Sequence, residues 1–127
     1  MEKLHVLVCV TGQKTCEKLI SEGARLAGEL GAELSVVHVA RQGAGLLGGN
    51  VAEAEALEYL FKISSEHGAA MSVIRSDEVV PTLVSHARKT NASMIVLGSP
   101  RRTDRDVTQA LKAHMPEMDF QVIYTEE

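Results

Sequence analysis

The sequence predicts a three-layer α/β/α domain with an open parallel sheet of five strands in the order 3-2-1-4-5. Three observations carry that expectation. The run Leu4-His5-Val6-Leu7-Val8-Cys9-Val10 is almost wholly apolar and rich in β-branched residues. A strand without polar alternation is buried on both faces, as the central strands of parallel sheets are. Strand-like and helix-like patterns then alternate along the chain as β-α-β-α-β-α-β-α-β, which favours a sheet covered by helices on both sides. Finally, Ser93–Leu97 is the second strongly apolar run. Placing it beside the first puts the topological switch point between Thr11 and Gly98, where doubly wound proteins hold their ligands.

The elements follow in order. The first strand, Leu4–Val10, leads into a helix with Cys16, Leu19, Ile20, Gly23, Ala24, Ala27 and Leu30 on one face, closed by Gly31 in a left-handed stop. The second strand spans Glu33–Val39, and a Gly-rich loop runs from Gln42 to Asn50. Asn50 and Glu53 have the spacing of a capping box for a helix turning Ala54, Leu57, Leu60 and Phe61 inward, which Gly68 ends. The third strand, Ala70–Arg75, precedes a helix with the inner stripe Val80, Leu83, Val84 and Ala87. Pro81 fits only its first turn, and Asn91 closes it. After the fourth strand comes a short helix with Val107, Ala110, Leu111 and His114 on one side, stopped by Pro116. Phe120–Thr125 reads as the fifth strand.

Composition narrows the function classes. The 127 residues suit one domain, residues 1–127, and 45% apolar with 24% charged residues is an ordinary globular balance. A net charge of −4 and a pI near 5.7 give no general nucleic-acid footprint. No apolar segment approaches the roughly 20 residues that span a bilayer, so direct membrane insertion is not expected. The N-terminus carries no signal-peptide pattern. Cys9 and Cys16 match no zinc or redox spacing and read as two buried thiols, in keeping with a cytoplasmic protein.

Several motifs bear on chemistry. Gly43-Ala44-Gly45-Leu46-Leu47-Gly48 fits G-x-G-x-x-G, but it follows the second strand and ends before its helix is capped, so it reads as a surface loop. Gly12-Gln13-Lys14-Thr15 matches the end of a phosphate loop, yet Leu7 stands where such a loop needs its first glycine. The amides opening the first helix could still meet an anion, or Thr11 or Thr15 could serve as its N-cap. Arg101 and Arg102, with Arg105, form the one basic cluster. They either grip a phosphate or carboxylate at the switch point or pair with Asp104 and Asp106 in a solvated loop. The histidines at 5, 38, 67, 86 and 114 have no metal-ligand spacing, and His38 falls near the rim of the crevice. There is no nucleophile elbow, and spacing singles out no hydrolytic dyad. Nothing in the chain requires catalysis.

Three phrases in this order resemble the universal stress protein family: Val6-Leu7-Val8-Cys9-Val10-Thr11-Gly12, Ala24-Arg25-Leu26-Ala27-Gly28-Glu29-Leu30-Gly31-Ala32-Glu33-Leu34, and Ala92-Ser93-Met94-Ile95-Val96-Leu97-Gly98. Gly98-Ser99-Pro100-Arg101-Arg102 is similar to the universal-stress-like domain of potassium-sensing histidine kinases of the KdpD type. The resemblance implies the adenine-nucleotide alpha hydrolase-like fold. Nucleotide-binding members of the family carry an Asp after the first strand, and G-x-x-G, nine residues, then G-(S/T) after the fourth. Here Thr11-Gly12 replaces the Asp, Arg101 replaces the second glycine, and Leu111-Lys112 falls where Gly-Ser would be. Aligned by Val107 and Leu111, Asp106 would face the phosphates and repel them. Kinase-linked relatives that bind cyclic di-AMP have a Ser-x-Ser turn and an aromatic second strand. Thr11-Gly12-Gln13 and Leu34-Ser35-Val36-Val37-His38 keep part of the polar character without the aromatic platform.

The leading expectation is therefore a non-catalytic regulatory or sensing module of the universal-stress type. It would act as a homodimer through the edge strand near Phe120–Tyr124, with a sensor histidine kinase as the implied partner. The competing expectation is an adenine-nucleotide binder, for ATP, AMP or cyclic di-AMP. Its crevice would be formed by Val10, Thr11, Gly12, Gln13, His38, Gly98, Ser99, Arg101 and Arg102.

Overall fold

Every strand of the sheet is parallel to its neighbours, and the order is β3-β2-β1-β4-β5. The computed structural model describes residues 4–10, 13–40, 51–98 and 107–123. The elements are β1 (His5–Val10), α1 (Gln13–Leu30), β2 (Glu33–Ala40), α2 (Val51–Glu66) and β3 (Ala70–Arg75). They continue as α3 (Val79–Lys89), β4 (Met94–Gly98), α4 (Val107–His114) and β5 (Asp119–Ile123). The first two crossovers step from β1 outward to β3, and the third returns over the sheet to β4. That reversal divides the helices between the two faces and makes the three-layer architecture that the alternation predicts.

β1 shows why its residues lack polar alternation. Val6, Val8 and Val10 share a cluster with Cys16, Leu19, Ile20 and Ala27 of α1 and Leu60 and Ile63 of α2. Leu7 and Cys9 belong to the opposite cluster, with Leu83, Val84 and Ala87 of α3, Leu111 of α4 and Met115 just beyond it. Each fully buried Val or Leu contributes about 1.5–3 kcal/mol of transfer free energy, so this strand is a large share of the core. The cysteines fall in different clusters on opposite faces and are not joined in a disulfide. Burial pushes the Cys9 thiol up to about 12. Cys16 is also raised, first by burial and then by the charge of Glu17. Both thiols therefore stay protonated and behave as small apolar side chains.

α1, α2 and α3 end in the same way. Gly31, Gly68 and Asn91 adopt φ of 64°, 71° and 56°. In each case the following alanine donates its N–H back five residues: Ala32 to Ala27 O at 2.8 Å, Ala69 to Ser64 O at 2.8 Å, and Ala92 to Ala87 O at 3.0 Å. The left-handed residues themselves donate to Gly28 O, Ser65 O and Arg88 O. This pair of bonds satisfies the last carbonyls of each helix and turns the chain straight into the next strand.

Some side chains depart from the helical stripes read in the sequence. Phe61 is 49% exposed, because α2 is rotated so that Leu57, Leu60, Ile63 and Ser64 face the sheet. Leu30 is 43% exposed, one residue from the turn at Gly31 where α1 has cleared the sheet. On α4, Leu111 is buried while His114 is exposed, and Met115 beyond the helix fills the core instead. α1 opens at Gln13, which puts Thr15 inside the first turn and not at the N-cap. Thr11 and the expected cap at Asn50 lie outside the described residues.

Two glycines of α1 should respond oppositely to the same change. At Gly23, a Cβ would strike Cγ2 of Val8 and approach Leu34 Cδ1 at 3.4 Å. Val8 is β-branched and fixed in the central strand, so it cannot swing away. Gly28 has nothing within 4 Å of the same position. In thermal or urea unfolding, Gly28→Ala should gain about 0.5–1 kcal/mol from helix propensity. Gly23→Ala should lose about 1 kcal/mol or more as overpacking outweighs that gain, and Gly23→Val should lose more.

Candidate functional site

The carboxyl end of the sheet is built by β1 and its two neighbours. β1 pairs with β4 through Val6–Met94, Leu7–Ile95 and Val8–Val96, and with β2 as far as Val10–His38. Val10, His38 and Gly98 therefore stand at one end of the sheet, where the strand order reverses. Splayed crossovers on either side of such a point leave a crevice.

His38 is tied to this end by one contact. Its Nδ1 lies 2.9 Å from the carbonyl oxygen of Val10. A carbonyl can only accept, so Nδ1 donates and holds the ring proton. In the neutral ring, Nε2 then remains as an acceptor beside the half-buried end of β2. β4 closes at Gly98, above Leu19 of α1. A Cβ on Gly98 would rest 3.5 and 3.7 Å from the two Leu19 methyls, an ordinary contact, so packing beneath does not require the glycine. Gln13 is the first residue of α1. Its side chain, and all of Thr11, Gly12, Ser99, Arg101 and Arg102, lie outside the described residues, as do residues 43–48 and 104–106. Of the candidate residues, the structure thus brings together Val10, His38 and Gly98.

A second polar cluster, at the amino end of the sheet, escaped the sequence reading. His5 Nε2 is 2.6 Å from Ser35 Oγ, and Nδ1 of the same ring is 3.9 Å from Glu33 Oε2. The His5 main chain is clamped by Ser93, which receives the His5 N–H on Oγ at 3.1 Å and donates its own N–H to His5 O at 2.8 Å. His5, Glu33, Ser35, His67 and Gly68 line part of an open groove of about 540 Å³. His86 on α3 is held below the ordinary imidazole range, chiefly by burial and then by the charges of Lys89 and His5. The available signal was a polar residue interrupting each of two apolar strands, His5 in β1 and Ser35 in β2. Their proximity depends on register, with His5 beside Glu33 and Leu7 beside Ser35, and spacing along the chain does not reveal it.

Comparison with known proteins fits this architecture. Residues 4–107 match the model of the universal stress protein family. Sensor protein KdpD of Mycobacterium tuberculosis is 38% identical over 99 residues, 78% of this chain. The match spans only 11% of that relative's length. Among solved structures, a universal stress family protein from Burkholderia pseudomallei superposes with a TM-score of 0.68 at 22% identity, covering 94% of both chains. A universal stress protein in complex with cAMP gives 0.71 at 14% identity, over 99% of this chain and 100% of the other. The Archaeoglobus fulgidus universal stress protein in complex with dAMP gives 0.60 at 21% identity, over 99% and 100%. At these identities the structural likeness speaks for the fold. With the family match covering most of the chain, the conclusion is direct: this chain belongs to the universal stress protein family.

Proposed function

We propose that the chain is a non-catalytic regulatory or sensing module of the universal-stress type, a single domain over residues 1–127 that relays a stress- or potassium-related state in the cytoplasm. The observation that carries this reading is the 38% identity to Sensor protein KdpD over 99 residues. A domain of a sensor protein works by contact with other domains, and a homodimer joined through β5 with a sensor kinase as partner fits that role. β5 is an end strand of the sheet, with Phe120, Val122 and Ile123 half-buried. An end strand of this kind offers free backbone groups to a second copy. Among the described residues, no helix is long and apolar enough to cross a membrane.

A second reading, an adenine-nucleotide binder, draws on the universal stress proteins solved with cAMP and dAMP. It would use the crevice between β1 and β4, with Val10, Thr11, Gly12, Gln13 and His38 on one side and Gly98, Ser99, Arg101 and Arg102 on the other. Two features weigh against it. The phosphate-binding pattern of the family is altered at Thr11-Gly12, Arg101 and Leu111-Lys112. The aromatics among the described residues are also engaged elsewhere: Tyr59 donates to Glu17 at 2.6 Å, Phe61 is exposed on α2, and Phe120 is in β5.

Sedimentation equilibrium should show a reversible monomer–dimer mixture whose mass rises with concentration; a monomer at all concentrations would remove the dimer. Calorimetric titration with ATP, AMP and cyclic di-AMP should give no heat up to millimolar ligand. Saturable heat with any of them, weakened by His38→Ala, would replace the leading reading with the second.

A further inference from the structure

We propose that Ser35 is a nucleophile activated by His5, and that it accepts an acyl group from small activated acyl donors such as thioesters and aryl esters. This modification site lies at the amino end of the sheet, at the opposite end from Val10 and Gly98. A serine hydroxyl is a weak nucleophile until a base within hydrogen-bond reach can take its proton, and the base works best when a third group orients it. Ser35, His5 and Glu33 supply these parts in that order. Oγ and Nε2 lie 2.6 Å apart, a contact across which the hydroxyl donates when Nε2 is the unprotonated ring nitrogen, and the Glu33 carboxylate lies 3.9 Å from Nδ1. The His5 backbone is held by two hydrogen bonds with Ser93. Ser35 itself is 9% exposed and, with His5 and Glu33, belongs to the lining of the groove of about 540 Å³. A small acyl compound fits that volume.

The step balances without any further reactant. Ser35 Oγ forms a bond to the acyl carbon while its proton passes to His5 Nε2. The bond from the acyl carbon to the departing oxygen or sulfur breaks, and His5 returns the proton to that atom. Glu33 is a positioning residue that favours the imidazolium formed in between. The amides of Ala32, Glu33, His67 and Gly68 around the groove already donate to main-chain carbonyls, so none of them stabilises the oxyanion of either acylation or hydrolysis. The leaving group then decides which step runs: a thiolate or aryl oxide departs readily from the donor, whereas the serine alkoxide departs poorly from the acyl-serine. The product is an acylated domain and not a turning-over esterase.

The test is p-nitrophenyl acetate with the full chain, following nitrophenolate release and the intact mass. The expected result is a burst approaching one nitrophenolate per chain, slow release afterwards, and an acetyl group mapped to Ser35. Ser35→Ala should abolish the burst, and His5→Gln should slow it about a hundredfold. Should His5→Gln fail to fold, the exposed Glu33 decides. Glu33→Gln should slow acylation severalfold without moving the melting temperature, and Glu33→Asp should recover most of the rate. No burst, acetyl on lysines alone, or a Ser35 adduct formed equally fast with Gln at position 5 or 33 would overturn the proposal.

Discussion

The structure depends on one strand being buried twice. β1 contributes Val6, Val8 and Val10 to the core under α1 and α2, and Leu7 and Cys9 to the core under α3 and α4. Removing this strand would leave two half-cores with no common wall. Because β1 has a partner on each side, it also sets the register of β2 and β4, and through them the positions of β3 and β5. The requirement reaches into the helices. α1 carries glycine at position 23 because Val8 occupies the space that a side chain there would need.

The two ends of the sheet then acquire different characters. At the carboxyl end, where the strand order reverses, the His38 imidazole is anchored to the last carbonyl of β1. At the amino end, the left-handed turns at Gly31, Gly68 and Asn91 deliver β2, β3 and β4 to their starting points, with β2 and β4 on either side of β1. Tight turns bring polar side chains of adjacent strands close together, and the contacts of His5 with Ser35, Glu33 and Ser93 are the result. A fold known for ligands at one end thus carries organised side-chain chemistry at the other.

What could be read from the chain follows from the range of the forces involved. β1 and β4 were legible because two-sided burial writes an unbroken apolar run. The stops at Gly31, Gly68 and Asn91 were legible because a left-handed residue is a local requirement. Phe61 was misread as inward because helical periodicity defines a stripe but not its rotation against the sheet, and packing of Leu60 and Ile63 chose the other edge of that stripe. Leu30 and His114 lie at helix ends, where periodicity continues past the edge of the core. At the candidate site, the neighbourhood of Val10, His38 and Gly98 followed from strand order, while the bond from His38 to Val10 needed the β1–β2 register. The same register hid the cluster of residues 5, 33 and 35.

Native-state hydrogen exchange tests the role of β1 most directly. The amides of Val6–Val10, with those of Ile95–Leu97, should exchange only through global unfolding, while β5 amides exchange by smaller openings. Amides of β1 exchanging as fast as those of β5 would contradict a strand held from both faces and both edges.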